Sequence, residues 1–426
     1  MKETLKPTLN LLDAVLINIG AIIGAGIFIV TGITAGFAGS SMIFSMLIAA
    51  VTASFTALSF ASLASWLPTE GGVYEYGYRL ISPAAGFLGG WMWLVSNVLT
   101  GSAVSLGFAH YLNVVFDVPL KPLAAMLCVA FTVVNYYGIR HSAQINNLIV
   151  SLKLLILVFF ISLGFLHFDA GNVLPFTPTV GVLYGAYYIF FAYGGFARVA
   201  MVAEEVKDPE RNIPKAILIS IGVSTIVYLL VGLVALGLVG ADRLSASGAP
   251  LSEAISVTNN SLAVAVVSTG GMLATASVLL TTILGVSRLI FSMSREGDLP
   301  PLLSRLHAKY NSPYVSIVAV GLVMLAFILL LDLTRILAMS TFAMLFYYTV
   351  GNVSAMRLGG SRLPKYVPVA GVLTCLILMS FTLLVSFDSF VTGLIILALG
   401  VVYFKLGTKR SLIGLPGHRK PQYQAT

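Results

Sequence analysis

Long apolar runs separated by short polar segments dominate the pattern of this chain. The runs are close to continuously apolar and about 20 residues long, which is the length that an α-helix needs to cross a bilayer. They do not alternate apolar and polar positions, so they predict helices rather than membrane β-strands. The pattern therefore predicts an all-α polytopic membrane protein. The expected twelve spans are 11–35, 41–66, 84–112, 120–138, 145–167, 180–203, 215–239, 262–291, 314–331, 334–356, 367–386 and 388–405.

The composition supports this interpretation. Of the 426 residues, 58% are hydrophobic and 9% are charged, whereas soluble domains carry about 25% charged residues. Cys128 and Cys375 lie in separate apolar runs, so we expect core residues rather than a disulfide or a metal pair. His110 and His141 are isolated near span ends, so no metal site is predicted. The sequence has no Walker motif, and we expect no cofactor and no ATP hydrolysis.

Basic residues are concentrated in one set of loops. With a cytoplasmic N-terminus, 19 of the 24 Lys and Arg residues fall in cytoplasmic segments and 3 in outside loops. The remaining two, Lys153 and Arg198, fall within spans. Cytoplasmic loops are enriched in Lys and Arg, so this bias predicts that both termini are cytoplasmic. The net charge of +8 is then explained by orientation in the bilayer, and no nucleic-acid partner is expected. The short tails favour the plasma membrane of a prokaryote.

Two of the predicted spans contain clustered glycines. The first holds Gly20, Gly24 and Gly26, and the sixth holds Gly194 and Gly195. Glycine is a poor helix former, so both spans are expected to be unwound there. The two spans are five apart, which predicts two five-helix repeats of opposite orientation. Interrupted segments at matching positions of two such halves indicate the substrate site of a transporter. Close helix packing is an alternative explanation for these glycines, and the spacing alone does not decide between the two.

Six motifs in this order resemble the amino acid–polyamine–organocation (APC) superfamily of secondary transporters. They are residues Gly20–Phe28, Pro68–Tyr76, Asn135–Arg140, Phe190–Phe196, Ala203–Ala216 and Arg288–Pro300. The resemblance implies a LeuT-like fold, with helices 1 and 6 unwound and two extra C-terminal helices. The implied division is a cytoplasmic N-terminal tail at 1–10, a first repeat at 11–167, an inverted second repeat at 180–356, two further spans at 367–405 and a cytoplasmic C-terminal tail at 406–426.

One position departs from the resemblance. Many relatives carry an acidic residue directly after the Gly-Phe of span six, where this chain has Ala197 and then Arg198. No carboxylate is therefore expected to contact substrate there. We expect Arg198 to reach towards the cytoplasmic end of the span or to pair with a backbone carbonyl, with a substrate role as the alternative.

A broken helix can bind both charged ends of an amino acid. The half-helix expected to start after Gly26 presents free N–H groups, which suit a carboxylate. The half-helices expected to end near Ile22–Ile23 and near Phe191–Tyr193 present carbonyls, which suit an ammonium group. Phe191 is expected to form an aromatic lid over the substrate, with ordinary packing as the alternative. By resemblance, the pocket residues are Ile22, Ile23, Gly24, Ala25, Gly26, Phe191, Ala192, Tyr193 and Gly194.

Lys153 is the sharpest single candidate, because a charge near the bilayer centre costs about 2.5–3.5 kcal/mol on insertion scales. Burial disfavours the ammonium form, so its proton could become exchangeable. In sodium-independent members of the resembling family, a lysine at this place approaches the broken first span. We therefore expect Lys153 and Gly20 to couple proton binding to closing of that span. The alternative is a lysine that extends to the cytoplasmic interface.

Together these features predict a secondary active transporter of amino acids that works by alternating access. We expect proton-coupled, sodium-independent symport, with a proton gradient as energy source and neutral amino acids favoured. An exchanger and a cationic amino acid or polyamine transporter remain alternatives. A channel or a membrane enzyme is disfavoured, because no Asp or Glu is placed mid-membrane and the spans show neither a continuous polar pore nor a nucleophile with its base. The expected partners are the amino acid substrate and the lipid bilayer, with the chain as a monomer or weak homo-oligomer.

Overall fold

The computed structural model describes residues 9–67, 71–138, 143–176, 178–196, 206–360 and 363–411, with the backbone alone described at 143–146 and 408–411. Every regular element in these ranges is a helix, apart from an isolated bridge between Leu9 and Val206. The α-helices in chain order are α1 (Leu11–Ile22), α2 (Ala25–Ala38), α3 (Met42–Trp66), α4 (Gly72–Leu80), α5 (Pro83–Asn113), α6 (Leu120–Tyr136), α7 (Ala143–Phe165), α8 (Gly181–Phe190), α9 (Pro209–Ala246), α10 (Pro250–Ser256), α11 (Ser261–Arg295), α12 (Tyr314–Leu330), α13 (Leu333–Arg357), α14 (Tyr366–Ser380), α15 (Thr382–Val385) and α16 (Phe387–Ser411).

Membrane-length apolar helices account for most of the described chain. Eight helical segments there are long and apolar enough to cross a bilayer, and three shorter helices are also apolar. One of the eight, Leu11–Trp66, contains α1, α2 and α3 in succession. The prediction of an all-α polytopic membrane protein is therefore confirmed.

The structure adds two short helices that the apolar pattern did not predict. Helix α4 carries Glu75 in its first turn and Arg79 in its last, and the two side chains form an ion pair at 2.5 Å. Each charge lies at the helix end where the helix dipole favours it. Helix α10 begins with Pro250, a residue that suits the first turn of a helix. Neither helix has the length or the apolar character of a span, so hydropathy alone could not place it.

The first predicted span is broken, as its glycines suggested. Helix α1 ends at Ile22, and the backbone leaves the helical region at Ile23, with ψ 64°, and at Gly24, with ψ −141°. Helix α2 then begins at Ala25, two residues earlier than expected. The difference arises because Gly24, and not Gly26, is the glycine that lies at the break. Gly26 lies inside α2, where a β-carbon would sit 2.5 Å from the Cα of Ala192. Both explanations for the glycines therefore apply: the helix unwinds at Gly24, and Gly26 allows close packing against Ala192.

The sixth predicted span is also interrupted. Helix α8 ends at Phe190 and continues as a 3₁₀ turn over Phe191–Tyr193. Gly194 then adopts ψ 144° and Gly195 a φ of 101°, a value that favours glycine. Residues 197–205 lie outside the described residues, so the predicted end of this span and the expectations for Arg198 lie there too.

The two broken segments lie side by side at the centre of the helical bundle. Helix α1 packs between α7 and α9, and α2 packs against α8 and α9. On the other flank, α5 packs against both α11 and α13. Of the helices after α13, α14 packs against α13 and α3, and α16 touches mainly α13, α15 and α5. This arrangement surrounds both breaks with α3, α5, α9, α11 and α13.

Candidate functional site

A cavity lies where the two broken segments meet. Seven of the nine residues that were predicted to bind substrate line it. Five further helices complete its wall. The predicted residues in the lining are Ile22, Gly24, Ala25, Gly26, Phe191, Ala192 and Gly194. Their role in binding remains a prediction, but the structure places them around one shared space.

Two predicted residues do not line the cavity. Ile23 is 1% exposed and is buried in the core behind the break. Tyr193 is fully buried, and its ring packs edge-on against Tyr228 with 5.2 Å between the ring centroids. Both residues therefore shape the breaks from behind the cavity wall.

Most of the cavity's side-chain wall comes from helices that carried no predicted site residue. Within the apolar pattern of α5, Trp93, Asn97, Thr100 and Val104 recur three or four positions apart, so they share one face of the helix. This spacing was the only sequence signal for that wall. The lining residues that sequence reasoning missed are Ala21, Phe60, Gly72, Val73, Trp93, Asn97, Thr100, Val104, Gly195, Val278, Met344, Tyr347 and Tyr348.

The cavity wall is uncharged. None of the described residues that line it is acidic or basic. Its polar side chains are Asn97 and Thr100 on α5 and Tyr347 and Tyr348 on α13, and its aromatic surfaces include Trp93. The side chains of this wall therefore offer hydrogen bonds and apolar contact, and they offer no countercharge to a ligand.

A fully buried tyrosine joins the two breaks. The hydroxyl oxygen of Tyr228 on α9 lies 2.6 Å from the carbonyl oxygen of Ile22 and 2.8 Å from that of Ala192. A phenol has one proton, so it donates to one carbonyl at a time. Tyr228 thus ties the end of α1 to the interrupted segment after α8. Sequence reasoning missed it, because a lone tyrosine in an apolar run carries no distinguishing signal.

Lys153 contacts the broken first span from the opposite side. Its ammonium nitrogen Nζ lies 3.2 Å from the carbonyl oxygen of Gly20 and 3.4 Å from Oγ of Ser277 on α11. The residue is 2% exposed, so its charge is buried between α1, α7 and α11 and does not extend to the interface. The carbonyl that it reaches belongs to the last turn of α1, whose carbonyls lack partners within the helix. The structure therefore brings together the two residues, Lys153 and Gly20, that were predicted to be coupled.

The cavity extends towards the side on which α4 lies. Gly72 and Val73, at the start of α4, are part of its lining. Helix α4 is fixed there by Tyr74, whose hydroxyl donates to Oδ2 of Asp298 at 2.7 Å. Burial, and then the neighbouring Asp298 carboxylate, raise the pKa of the Tyr74 phenol well above its ordinary value. The phenol therefore stays protonated, and remains a donor, across the physiological range.

The opposite end of the bundle is closed. Helix α10 packs against α2 and α11, and its own residues are largely buried. A β-carbon on Gly32 of α2 would lie 2.6 Å from the carbonyl oxygen of Leu244 and 3.3 Å from Cβ of Pro250. No residue of α10 lines the cavity. We refer to these two ends as the α4 side, where the cavity reaches, and the α10 side, where the bundle is packed shut.

Comparison with known proteins identifies the family. Residues 9–406 match the amino acid permease family. The chain is 32% identical to the branched-chain amino acid permease BcaP of Bacillus subtilis, over 74% of this chain and 73% of that protein. It is 30% identical to the methylthioribose transporter of the same organism, over 96% of this chain and 95% of that protein. It is also 30% identical to the vacuolar cationic amino acid transporter 4 of Arabidopsis thaliana, over 85% of this chain and 64% of that protein.

The family match covers nearly all of the described helices, from the start of α1 into α16. The relatives are named as permeases and transporters, so the family is one of transporters and not of enzymes. The chain belongs to the amino acid permease family of the APC superfamily.

Proposed function

We propose that the protein is a secondary active transporter that moves amino acids by alternating access and is driven by protons. In this proposal twelve spans cross the plasma membrane with both termini in the cytoplasm, and spans one to ten form two inverted repeats. The α4 side is then cytoplasmic. The observation that carries the proposal is the buried bond from Lys153 to Gly20, beside a cavity framed by two interrupted helices.

Main-chain groups recognise both ends of the amino acid in this mechanism. The N-terminus of α2, after Gly24, offers free N–H groups and the positive end of the helix dipole to the carboxylate. The end of α1 and the turn at Phe191–Tyr193 offer carbonyls to the ammonium group. Two of these carbonyls are within reach of the Tyr228 hydroxyl, which donates to one of them at a time and links the two breaks. Recognition of the zwitterion therefore needs no acidic side chain.

The uncharged wall favours a neutral amino acid. Trp93, Phe191 and the α13 tyrosines provide apolar surface for the substrate side chain. The branched-chain specificity in the name of BcaP agrees with this choice. A cationic substrate is the second candidate, because aromatic faces attract cations and another relative is named a cationic amino acid transporter.

Lys153 couples the proton to the first span. In its charged form the ammonium donates to the Gly20 carbonyl and holds the end of α1 against α7. Hydrogen bonds to charged groups contribute about 1.5–3 kcal/mol, so loss of the charge weakens this contact by a factor of about 10–150. Deprotonation then releases α1 on the α4 side, and protonation restores it. In this proposal transport needs no sodium, because the buried ammonium of Lys153 already supplies a positive charge beside the Gly20 carbonyl.

The test is uptake of a panel of labelled amino acids into proteoliposomes, with and without an inward proton gradient. It compares the wild type, Lys153→Ala and the control Lys121→Ala, whose Nζ contacts only the carbonyl of Leu329 near the surface among described residues. We expect gradient-driven uptake in the wild type and the control, and a loss of at least tenfold in Lys153→Ala with substrate binding retained. Transport only against a preloaded amino acid, at every pH and in all three proteins, would establish an exchanger and remove the coupling role of Lys153. Preference for arginine or lysine over neutral substrates would overturn the substrate class.

A further inference from the structure

Two buried tyrosine hydroxyls fasten the α10 side of the bundle, and no step of the proposed coupling uses them. Tyr111 on α5 donates to the carbonyl oxygen of Phe28 on α2 at 2.6 Å, and the two rings meet edge-on at 5.8 Å. Tyr187 on α8 donates to the carbonyl oxygen of Ala338 on α13. All four residues are 0% exposed.

These two bonds join the halves of the broken segments that lie beyond the cavity to their neighbours. Helix α2 follows the first break and α8 precedes the second. Each is tied through one phenol to a helix that also lines the cavity, α5 or α13. We propose that Tyr111 and Tyr187 are latches that hold the α10 side closed, and that both must release before the cavity can open to that side.

The two tyrosine contacts are features of the structure, and their role in opening the α10 side rests on the proposed function. In the inverted repeats proposed above, α7 with α1 and α13 with α8 are equivalent pairs. The Tyr187–Ala338 bond is then the counterpart of the Lys153–Gly20 bond, at the opposite end of the bundle. The tyrosine does not titrate near neutral pH, whereas the lysine contact depends on its charge. The α10 side is accordingly held by fixed hydrogen bonds, and the α4 side by a contact that protonation controls.

The latches predict which side of the cavity is reachable when one of them is removed. Thr100 lines the cavity from α5, about three helical turns before Tyr111, and is partly exposed, so it serves as a reporter position when it is replaced by cysteine. The native Cys128 and Cys375 are both 0% exposed and are replaced by alanine. Membrane vesicles of known orientation are treated with a membrane-impermeant thiol reagent on one side at a time, and the labelling rate of Thr100→Cys is measured.

We expect Tyr111→Phe and Tyr187→Phe each to raise labelling from the α10 side about five- to tenfold over the parent, since each change removes one buried hydrogen bond and keeps the ring. Tyr188→Phe is the matched control. Tyr188 is equally buried on α8, but its ring stacks on Phe37 and its hydroxyl makes no hydrogen bond to a described side chain or backbone. It should leave the labelling rate unchanged.

Labelling from the α4 side reports whether each variant is folded, because the cavity extends to the start of helix α4 on that side. Variants that label normally from the α4 side, yet no faster than Tyr188→Phe from the α10 side, would overturn the latch assignment. An equal increase in Tyr188→Phe would also overturn it, since any buried phenol would then have the same effect. The labelling needs no substrate, so a failure of amino acid uptake would count against the proposed function and leave this result standing.

Discussion

Replacement of Tyr228 by phenylalanine tests whether the two breaks are held at a set distance for binding. The hydroxyl that would be lost lies 2.6 Å from the Ile22 carbonyl oxygen and 2.8 Å from that of Ala192. The Ile22 carbonyl also accepts a hydrogen bond from the backbone N–H of Gly24 at 2.7 Å, so it keeps a donor in the variant. The Ala192 carbonyl loses the hydroxyl that donates a hydrogen bond to it, and a buried acceptor left without a donor costs about 1–3 kcal/mol.

The loss should appear in binding more than in stability. The aromatic ring of Tyr228 stays in place against Tyr193, so packing is conserved. The end of α1 and the turn after α8 are then no longer joined, so under the proposed function the ammonium group of the substrate must order them when it binds. A penalty of about 1–2 kcal/mol raises the Kd about 5- to 30-fold. We expect the melting temperature to fall by only a few degrees, in line with a change of about 1 kcal/mol in a large helical bundle.

The assay is equilibrium binding of the best substrate from the uptake panel to purified protein, beside a thermal melt of each variant. Tyr188→Phe is the control, because it removes the hydroxyl of a tyrosine of similar overall burial, and that hydroxyl bridges nothing in the described structure. A Kd for Tyr228→Phe within twofold of the wild type would refute the argument. So would a weakened Kd accompanied by an equal change in Tyr188→Phe.

Two further substitutions test the packing around the cavity. Gly24→Ala should destabilise the protein by about 1–3 kcal/mol, because its β-carbon would lie 2.6 Å from Cγ2 of Val278. A thermal melt should show that the double variant with Val278→Ala recovers this stability. A double variant that is no more stable than Gly24→Ala would contradict the tight packing at the break. Tyr74→Phe should lower stability by about 1–3 kcal/mol, because it removes the 2.7 Å hydrogen bond to the Asp298 carboxylate. Tyr78→Phe is the control and should have a smaller effect in the same melt. Equal effects of the two substitutions would contradict the role of that hydrogen bond.

The sequence predicted those parts of the site that depend on local backbone chemistry. Clustered glycines located both breaks, because a helix is weakest where glycine is densest. A lone lysine in an apolar run stood out because its burial is costly, and its proximity to Gly20 followed from the resemblance. In both cases a single short stretch of chain carried the information.

The rest depended on which helices meet in space. Asn97 and Thr100 read as ordinary polar positions on a long helix until α5 is placed beside both breaks. Tyr228 is separated from Ile22 by 206 positions, and nothing in its own neighbourhood marks it as the partner of a carbonyl. Contacts between distant helices are set by the packing of the whole bundle, so one sequence could not supply them.

The end of α1 is held from two sides by donors of different chemistry. Lys153 on α7 reaches the Gly20 carbonyl, and Tyr228 on α9 reaches the Ile22 carbonyl two residues later. In the proposed mechanism the Lys153 ammonium gives up its proton, while the Tyr228 phenol keeps its own. Deprotonation therefore weakens the contact with α7 and leaves the contact with α9. Under the proposed coupling, α1 then separates from α7 and stays joined to α9 through Tyr228, so the direction of opening depends on which of the two donors gives up its proton.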